Sequence, residues 1–176
     1  KPRRIIMAKL QAHRGVSSEY PENTMAAFRA SVAEGYDYIE FDPKYTSDGE
    51  IVILHDHTLD RTARRTDGSR VEKGTDIRSI TLEEARSYDY GLWFSEDFRG
   101  EQIPLLTALL DYARESGIPV KIDNVWETFP EEISAKLFDI VASYGESIHV
   151  GFTCARLDTM AAAAARFPYA DIHYDG

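Results

Sequence analysis

Glu40 and Asp42 stand two residues apart in the run "YIEFD". In a β-strand, residues two apart share a face, so both carboxylates project together while Ile39 and Phe41 point the other way. Side by side they repel, and one must take up a proton unless a cation sits between them. Hard divalent cations with oxygen ligands, Mg²⁺ or Ca²⁺, suit such a pair. Asp123 closes another apolar run, "VKID", and is the candidate third ligand, with Lys121 two residues earlier on the same face. His13 and His55 also close strand-like runs. Imidazoles titrate near neutral pH, which suits proton transfer. Arg14, directly after His13, adds a planar fork of donors matched to phosphate.

Taken singly, each signal is weak. A histidine at a strand end often serves structure alone, a Glu-x-Asp pair can be neutralised by lysines, and a Lys-x-Asp can be a solvated edge. The weight lies in their all falling at the same end of successive strands. Other features carry less. His57 reads as a loop residue near these ends, and His149 and His173 as ordinary strand residues. Trp93 and Phe94 suit either a substrate cavity or local packing.

The elements that must position these groups alternate. Strands are expected at 8–13 (within an apolar run over 5–13), 37–42, 51–55, 118–123, 148–153 and 170–175. Helical spacing follows in "TMAAFRASVAEGY", with Asn23 or Thr24 as N-cap and Gly35 as the stop. It returns in "PLLTALLDYARESG", "PEEISAKLFDIVASYG" and "RLDTMAAAAARF". Residues 57–102 show no clear period beyond one short helix signal, "TLEEARSY", with a capping-box pattern from Thr81 to Glu84. That segment is too long for an ordinary connection and reads as an insertion of the kind that covers a site. Strands alternating with helices imply a parallel sheet with right-handed crossovers. In a parallel barrel the C-terminal strand ends converge at one mouth, which would gather the groups named above.

Composition narrows the partners. A formal net charge of −10 over 176 residues argues against nucleic acid or an anionic membrane surface as the main partner. It leaves room for a small anionic substrate at a locally basic site. The single cysteine, Cys154, forms no internal disulfide. No apolar run approaches the roughly 20 residues of a membrane span. The chain opens on Lys1, which is compatible with a removed leader, so cytoplasmic and secreted or periplasmic locations both stay open, as does the oligomeric state.

The segments "HRG", "PENTMAAFRASVAEGYDYIEFDPKYTSDGEIVILHDHTLDRT" and "GLWFSEDFRGEQIPLL" resemble, in order, the glycerophosphodiester phosphodiesterase family. The resemblance is nearly continuous over residues 11–106 and fainter to residue 176. It implies a (β/α)₈ TIM-like barrel with an insertion beside the active mouth. It also implies metal-assisted hydrolysis of a glycerophosphodiester to glycerol phosphate and an alcohol. By motif match, His13 and His55 correspond to a general acid/base pair, Glu40 and Asp42 to metal ligands, and Arg14 to the phosphate-contacting arginine. The family nucleophile is thought to be the substrate's own glycerol 2-hydroxyl, giving a cyclic phosphate that water opens. The residues alone leave direct water attack open, as they leave open which histidine is acid and which base. Glu22, in the "PENT" segment, is assigned a supporting role.

Two departures stand out. Pro43 follows Asp42, which predicts that the strand ends or bulges there. Lys121-Ile122-Asp123 stands where the family carries Glu-x-Lys, so charge types are kept in inverted order; Asp123 is taken as the third ligand and Lys121 as a phosphate contact. Two other functions are compatible: a phospholipase D-like activity on lysolipids or sphingolipids, and a non-catalytic phosphate-binding module. Retention of both histidines beside the carboxylates speaks against the second. A full barrel takes about 250 residues, with a lower range near 200. Residues 1–176 are therefore read as one incomplete barrel domain, truncated after about six strands, with the insertion at about 57–102. The last two βα units are expected to be absent, disordered or supplied by another chain.

Overall fold

The computed structural model describes residues 8–175; residues 1–7 and Gly176 lie outside the described residues, and with them Lys1 and the start of the apolar run over 5–13. The strands are β1 (Gln11–His13), β2 (Tyr38–Phe41), β3 (Pro43–Tyr45), β4 (Ile51–Ile53), β5 (Val120–Ile122), β6 (Val150–Cys154) and β7 (Asp171–Tyr174). The helices are α1 (Met25–Ala33), α2 (Leu82–Ala85), α3 (Leu106–Ser116), α4 (Glu131–Tyr144) and α5 (Leu157–Arg166). Among the described residues no helix is long and apolar enough to cross a membrane.

Five strands form one parallel sheet in the order β1-β2-β5-β6-β7. Its register sets Gln11 beside Tyr38, His13 beside Glu40, and Glu40 beside Lys121. Strand alternation then sorts the side chains. Ile39, Phe41, Val120, Ile122, Val150 and Phe152 are fully buried in the core shared with Phe28, Leu106, Leu109, Leu137 and Phe167 of the helical layer. Polar residues of the same strands, Gln11, Tyr38, Lys121, Asp171 and His173, line the other face. A parallel sheet with apolar residues toward helices and polar residues toward a lumen is the arrangement of a barrel wall.

The expected strand at 51–55 is not part of this wall. Ile51–Ile53 pairs antiparallel with Pro43–Tyr45 in a separate two-stranded sheet. Pro43 has no N–H for the ladder, so β2 stops at Phe41 and the chain resumes as β3 after Asp42. The turn through Asp48 and Gly49 is far too short for a parallel return, which takes a dozen residues or more. The apolar run "IVIL" is accounted for by burial on both sides: Ile51 and Ile53 belong to the main core, Val52 and Leu54 to a second one.

That second core organises residues 57–102. Leu59, Ala63, Val71, Ile77, Ile80, Ala85, Tyr88 and Tyr90 pack with Val52, Leu54 and Ile103. Buried Asp89 accepts hydrogen bonds from the amides of Gly91, Leu92 and Gly100 at 2.8, 2.8 and 2.6 Å, closing the segment on itself. Thr81 caps α2 as its pattern predicts, accepting from Glu84 N at 3.2 Å. Of the two candidates for the α1 cap, Thr24 fills the role, accepting from Ala27 N at 3.3 Å.

Candidate functional site

The site grows from the C-terminal ends of β1, β2 and β5. After His13 the chain turns sharply through two left-handed residues, Arg14 at φ 57° and Gly15 at φ 78°. A Cβ on Gly15 would meet the Cβ of Ala27 at 2.6 Å, so only glycine lets this turn lie against α1. Positive φ at a non-glycine residue is a strained state that tertiary contacts must hold. Here the Arg14 amide donates to Glu40 Oε2 at 3.0 Å. Asn23, also left-handed at φ 56°, is buried and donates through Nδ2 to Asp42 Oδ2 at 2.8 Å.

The structure brings Glu40, Asp42 and Asp123 together: each offers a carboxylate oxygen within 4.8 Å of the others. Glu40 and Asp42 are each 5% exposed. Burial, with added repulsion from Asp42 and Asp123, pushes the Glu40 carboxyl up to about 8. Asn23 Oδ1, beside this cluster, is buried with no partner among the described residues. An all-oxygen donor set, crowded with like charge and out of water, fits a hard divalent cation.

His13 and His55 flank the cluster differently. His13 is open to solvent, with Nε2 at 3.9 Å from Glu40 Oε2. His55 Nδ1 lies 2.6 Å from Asp56 Oδ1. Arg61 donates to the same carboxylate from Nε at 2.7 Å and Nη2 at 3.2 Å, and holds Asp56 down at about 2. Arg61 also grips Glu22, whose other neighbour is Arg14 Nη1 at 3.1 Å. Burial raises the Glu22 carboxyl, but the two guanidiniums prevail and leave it below the usual range. Arg14 Nε faces Asp42 Oδ2 at 3.4 Å. A chain of contacts thus runs from His55 through Asp56, Arg61 and Glu22 to Arg14.

A cavity of about 570 Å³ opens beside the cluster, lined by Asp42, Lys44, His55, Asp56, His57 and Asp123 among others. Lys121 lies elsewhere. It stands beside Glu40 in the sheet and shares a cavity of about 300 Å³ with Gln11, Tyr38, Asp171 and His173 on the lumen face. Trp93 and Phe94 stack edge-to-face with each other, and Phe94 with Phe98, at the surface of the segment 57–102; the Arg61 guanidinium lies 6.0 Å over the Trp93 ring. His149 and His173 belong to the polar face near Asp171, away from this cavity.

Sequence reasoning passed over Asp56, Arg61, Asn23 and Lys44. Asp56 adjoins His55 directly, which is a readable signal for an orienting carboxylate. Lys44 continues the period-two phase of Glu40 and Asp42 past the proline. Nothing local marks Arg61, whose partner Glu22 is 39 residues away.

A model described as the glycerophosphoryl diester phosphodiesterase family matches residues 13–171. The chain is similar to a glycerophosphodiester phosphodiesterase of Caldanaerobacter subterraneus subsp. tengcongensis, 40% identical over 112 residues, or 64% of this chain and 43% of the relative. It is similar to glycerophosphodiester phosphodiesterase 1 of Mus musculus, 39% identical over 159 residues, or 89% of this chain and 44% of the relative. The chain therefore spans less than half the length of these two relatives. Among solved structures it superposes on an Oleispira antarctica phosphodiesterase in complex with the product sn-glycerol-3-phosphate, with TM-score 0.78 and 25% identity, covering 96% of this chain and 66% of that one. The five-stranded sheet and its helices are part of a (β/α)₈ TIM-like barrel fold.

Proposed function

The chain belongs to the glycerophosphoryl diester phosphodiesterase family, and we propose on that footing that the protein carrying it hydrolyses glycerophosphodiesters to glycerol phosphate and an alcohol. Residues 1–176 are read as one phosphodiesterase domain in which 57–102 is an insertion beside the mouth. The observation that carries the reading is the convergence of Glu40, Asp42 and Asp123 between His13 and the His55–Asp56 pair.

In this reading Glu40, Asp42 and Asp123 would hold a divalent ion, Mg²⁺ or Ca²⁺. When bound, such an ion supplies charge neutralisation at the phosphate oxygens and makes a nearby hydroxyl more acidic. Arg14 orients the phosphate and stabilises negative charge as it builds. His55 is the base. Its Nδ1–H donates to Asp56, which fixes the tautomer, leaves the Nε2 lone pair free and stabilises the imidazolium that forms. It removes the proton of the attacking hydroxyl, the substrate's glycerol 2-hydroxyl or a water. As the new P–O bond forms, the bond to the departing alcohol breaks, and His13 donates a proton to that oxygen. Where the attack is internal, a cyclic phosphate results, and water opens it with the two imidazoles exchanging roles.

The test is release of alcohol from glycerophosphocholine, glycerophosphoethanolamine and a lysolipid, with Mg²⁺, Ca²⁺, Mn²⁺ or chelator. Release from the first two that requires a divalent ion is expected. Release from the lysolipid alone would move the assignment to a phospholipase D-like activity. No release from any of them, with glycerol phosphate still bound, would reduce the site to a phosphate-binding module.

A further inference from the structure

We infer that Lys44 is a second phosphate-binding side chain of this cavity, acting beside Arg14 on the anionic diester. The inference rests on the phosphodiesterase reading above and adds to it a residue that no motif signalled.

Lys44 is 2% exposed. Lysine is almost never buried to this degree without a partner, because an unpaired ammonium out of water is costly. Yet among the described residues neither an ion pair nor a hydrogen bond engages its Nζ, and the side chain lines the 570 Å³ cavity that also holds His55 and the carboxylates Asp42 and Asp123. The acids nearest to it are committed elsewhere. Asp42 takes the Asn23 amide and faces Arg14. Asp56 is held by Arg61 and His55. Asp123 accepts from Val125 N at 3.0 Å, capping the 3₁₀ turn Asn124–Thr128.

Of the other cations nearby, Arg61 is bound on all three nitrogens by Glu22 and Asp56. Arg14 donates to Glu22 from Nη1, and its Nε faces Asp42 at 3.4 Å without a hydrogen bond, so it keeps donors for an anion. Lys44 brings to the cavity lining a second basic side chain with its donors available. Its placement has a backbone cause. Pro43 ends the parallel ladder, and the new strand it starts sets Lys44 opposite Val52 and in the cavity lining with Asp42 and Asp123. An ammonium is a compact charge with three donors and suits non-bridging phosphate oxygens. The competing role is that of a fixed counter-charge to the acidic cluster, in which case its removal would leave glycerol phosphate affinity unchanged.

The experiment uses the intact protein with Lys44→Met, Lys44→Gln and Lys44→Arg. It measures sn-glycerol 3-phosphate binding by calorimetry, Ca²⁺ and Mg²⁺ affinity, and kinetics on glycerophosphocholine. Glycerol phosphate affinity should fall about 10- to 100-fold in Lys44→Met, the worth of one charge-assisted hydrogen bond, with KM rising in parallel. Lys44→Arg should recover part of the loss. Divalent-ion affinity should hold or increase, because a positive neighbour has gone. Lys44→Gln, closer in shape, carries the same comparison should Lys44→Met fold poorly. Affinity for glycerol phosphate within twofold of wild type would overturn the inference and leave the hydrolase reading standing. A fall in glycerol phosphate affinity accompanied by a loss of divalent-ion affinity would also overturn the inference, making Lys44 part of the scaffold. Lys44-dependent binding without hydrolysis would do the reverse, keeping the anion site and removing the hydrolase. A wild-type protein that binds no glycerol phosphate overturns both.

Discussion

Arg61 and Glu22 are joined by two near-parallel hydrogen bonds, Nη1 to Oε2 at 2.7 Å and Nη2 to Oε1 at 2.8 Å. A guanidinium fork against a carboxylate is the most geometrically demanding of ion pairs. Its significance lies in what each partner holds with its remaining atoms. Arg61 fixes the carboxylate that orients His55, and Glu22 steadies the guanidinium of Arg14. His55 and Arg14 therefore share one brace, built across the segment 57–102 and the loop that precedes α1.

Arg61→Lys should break that brace while keeping the charge, because an ammonium cannot serve both carboxylates in the forked geometry. We expect kcat to fall about 10- to 100-fold, the scale of a misplacement rather than of a lost reacting group. The melting temperature should change modestly, since Arg61 is exposed and the substitution keeps a positive charge beside the largely buried Glu22. Steady-state kinetics with a thermal melt checks this; an unchanged kcat would show that His55 and Arg14 are placed by other contacts.

Removing the reacting groups should cost more. His13→Ala and His55→Ala should each lower kcat roughly 10²–10⁴-fold with the fold intact. Asp56→Asn should fall in the same range by favouring the wrong His55 tautomer. The distinguishing measurement is the pH profile: the acidic limb, set by the base His55, should move in Asp56→Asn and stay put in His13→Ala, which should instead lose the basic limb.

The parts of this site that could be read from sequence are those governed by strand periodicity. Glu40, Asp42 and Asp123 stand at the ends of strands whose apolar partners fix the phase, so their convergence follows from a parallel wall. Lys121 shows the limit of that reasoning. It shares a phase with Asp123 and stands beside Glu40, yet it lines a different cavity with Gln11, Tyr38, Asp171 and His173, which strand periodicity alone does not distinguish. The run at 51–53 was legible as a strand and not as an antiparallel one, because burial on both faces erases alternation. The Arg61–Glu22 brace links residues 39 positions apart with no local pattern to announce it.

Asp56 gives a pH dependence with a definite sign. Arg61, then His55, hold its carboxyl at about 2, below its ordinary value. A carboxylate depressed in the folded state contributes stability that is complete above the unfolded pKa, near 3.9, and is lost as pH falls through the folded value. The melting-temperature gap between wild type and Asp56→Asn should therefore be constant from pH 5 to 7 and shrink between about pH 4 and 2. Solvent screening of this half-open group keeps the gap small. A gap that widens on acidification would contradict the assignment of Arg61 as its main partner.

Glu40 gives the opposite sign. Burial, reinforced by Asp42 and Asp123, raises its carboxyl to about 8, so the folded metal-free protein binds a proton that the unfolded chain releases above about 4.5. Folding stability without metal should then decline as pH rises from about 5 to 8, because the native state holds more protons than the unfolded one. A divalent ion competes for the same oxygens and replaces the proton, so its stabilising effect should be larger at pH 8 than at pH 6. Glu40→Gln keeps the shape and removes one of the three charges. In chelator it should melt several degrees above wild type at pH 8, given that each kcal/mol moves a chain of this size by about 2–4 °C. Added Mg²⁺ or Ca²⁺ should raise its melting temperature far less than that of wild type, because a hard oxygen ligand is gone. Differential scanning calorimetry at pH 6 and 8, with chelator and with each ion, decides it. A metal-free wild type whose stability is flat or rising over this range, or a Glu40→Gln variant that gains as much from the ion as wild type does, would mean that the three carboxylates do not share one cation.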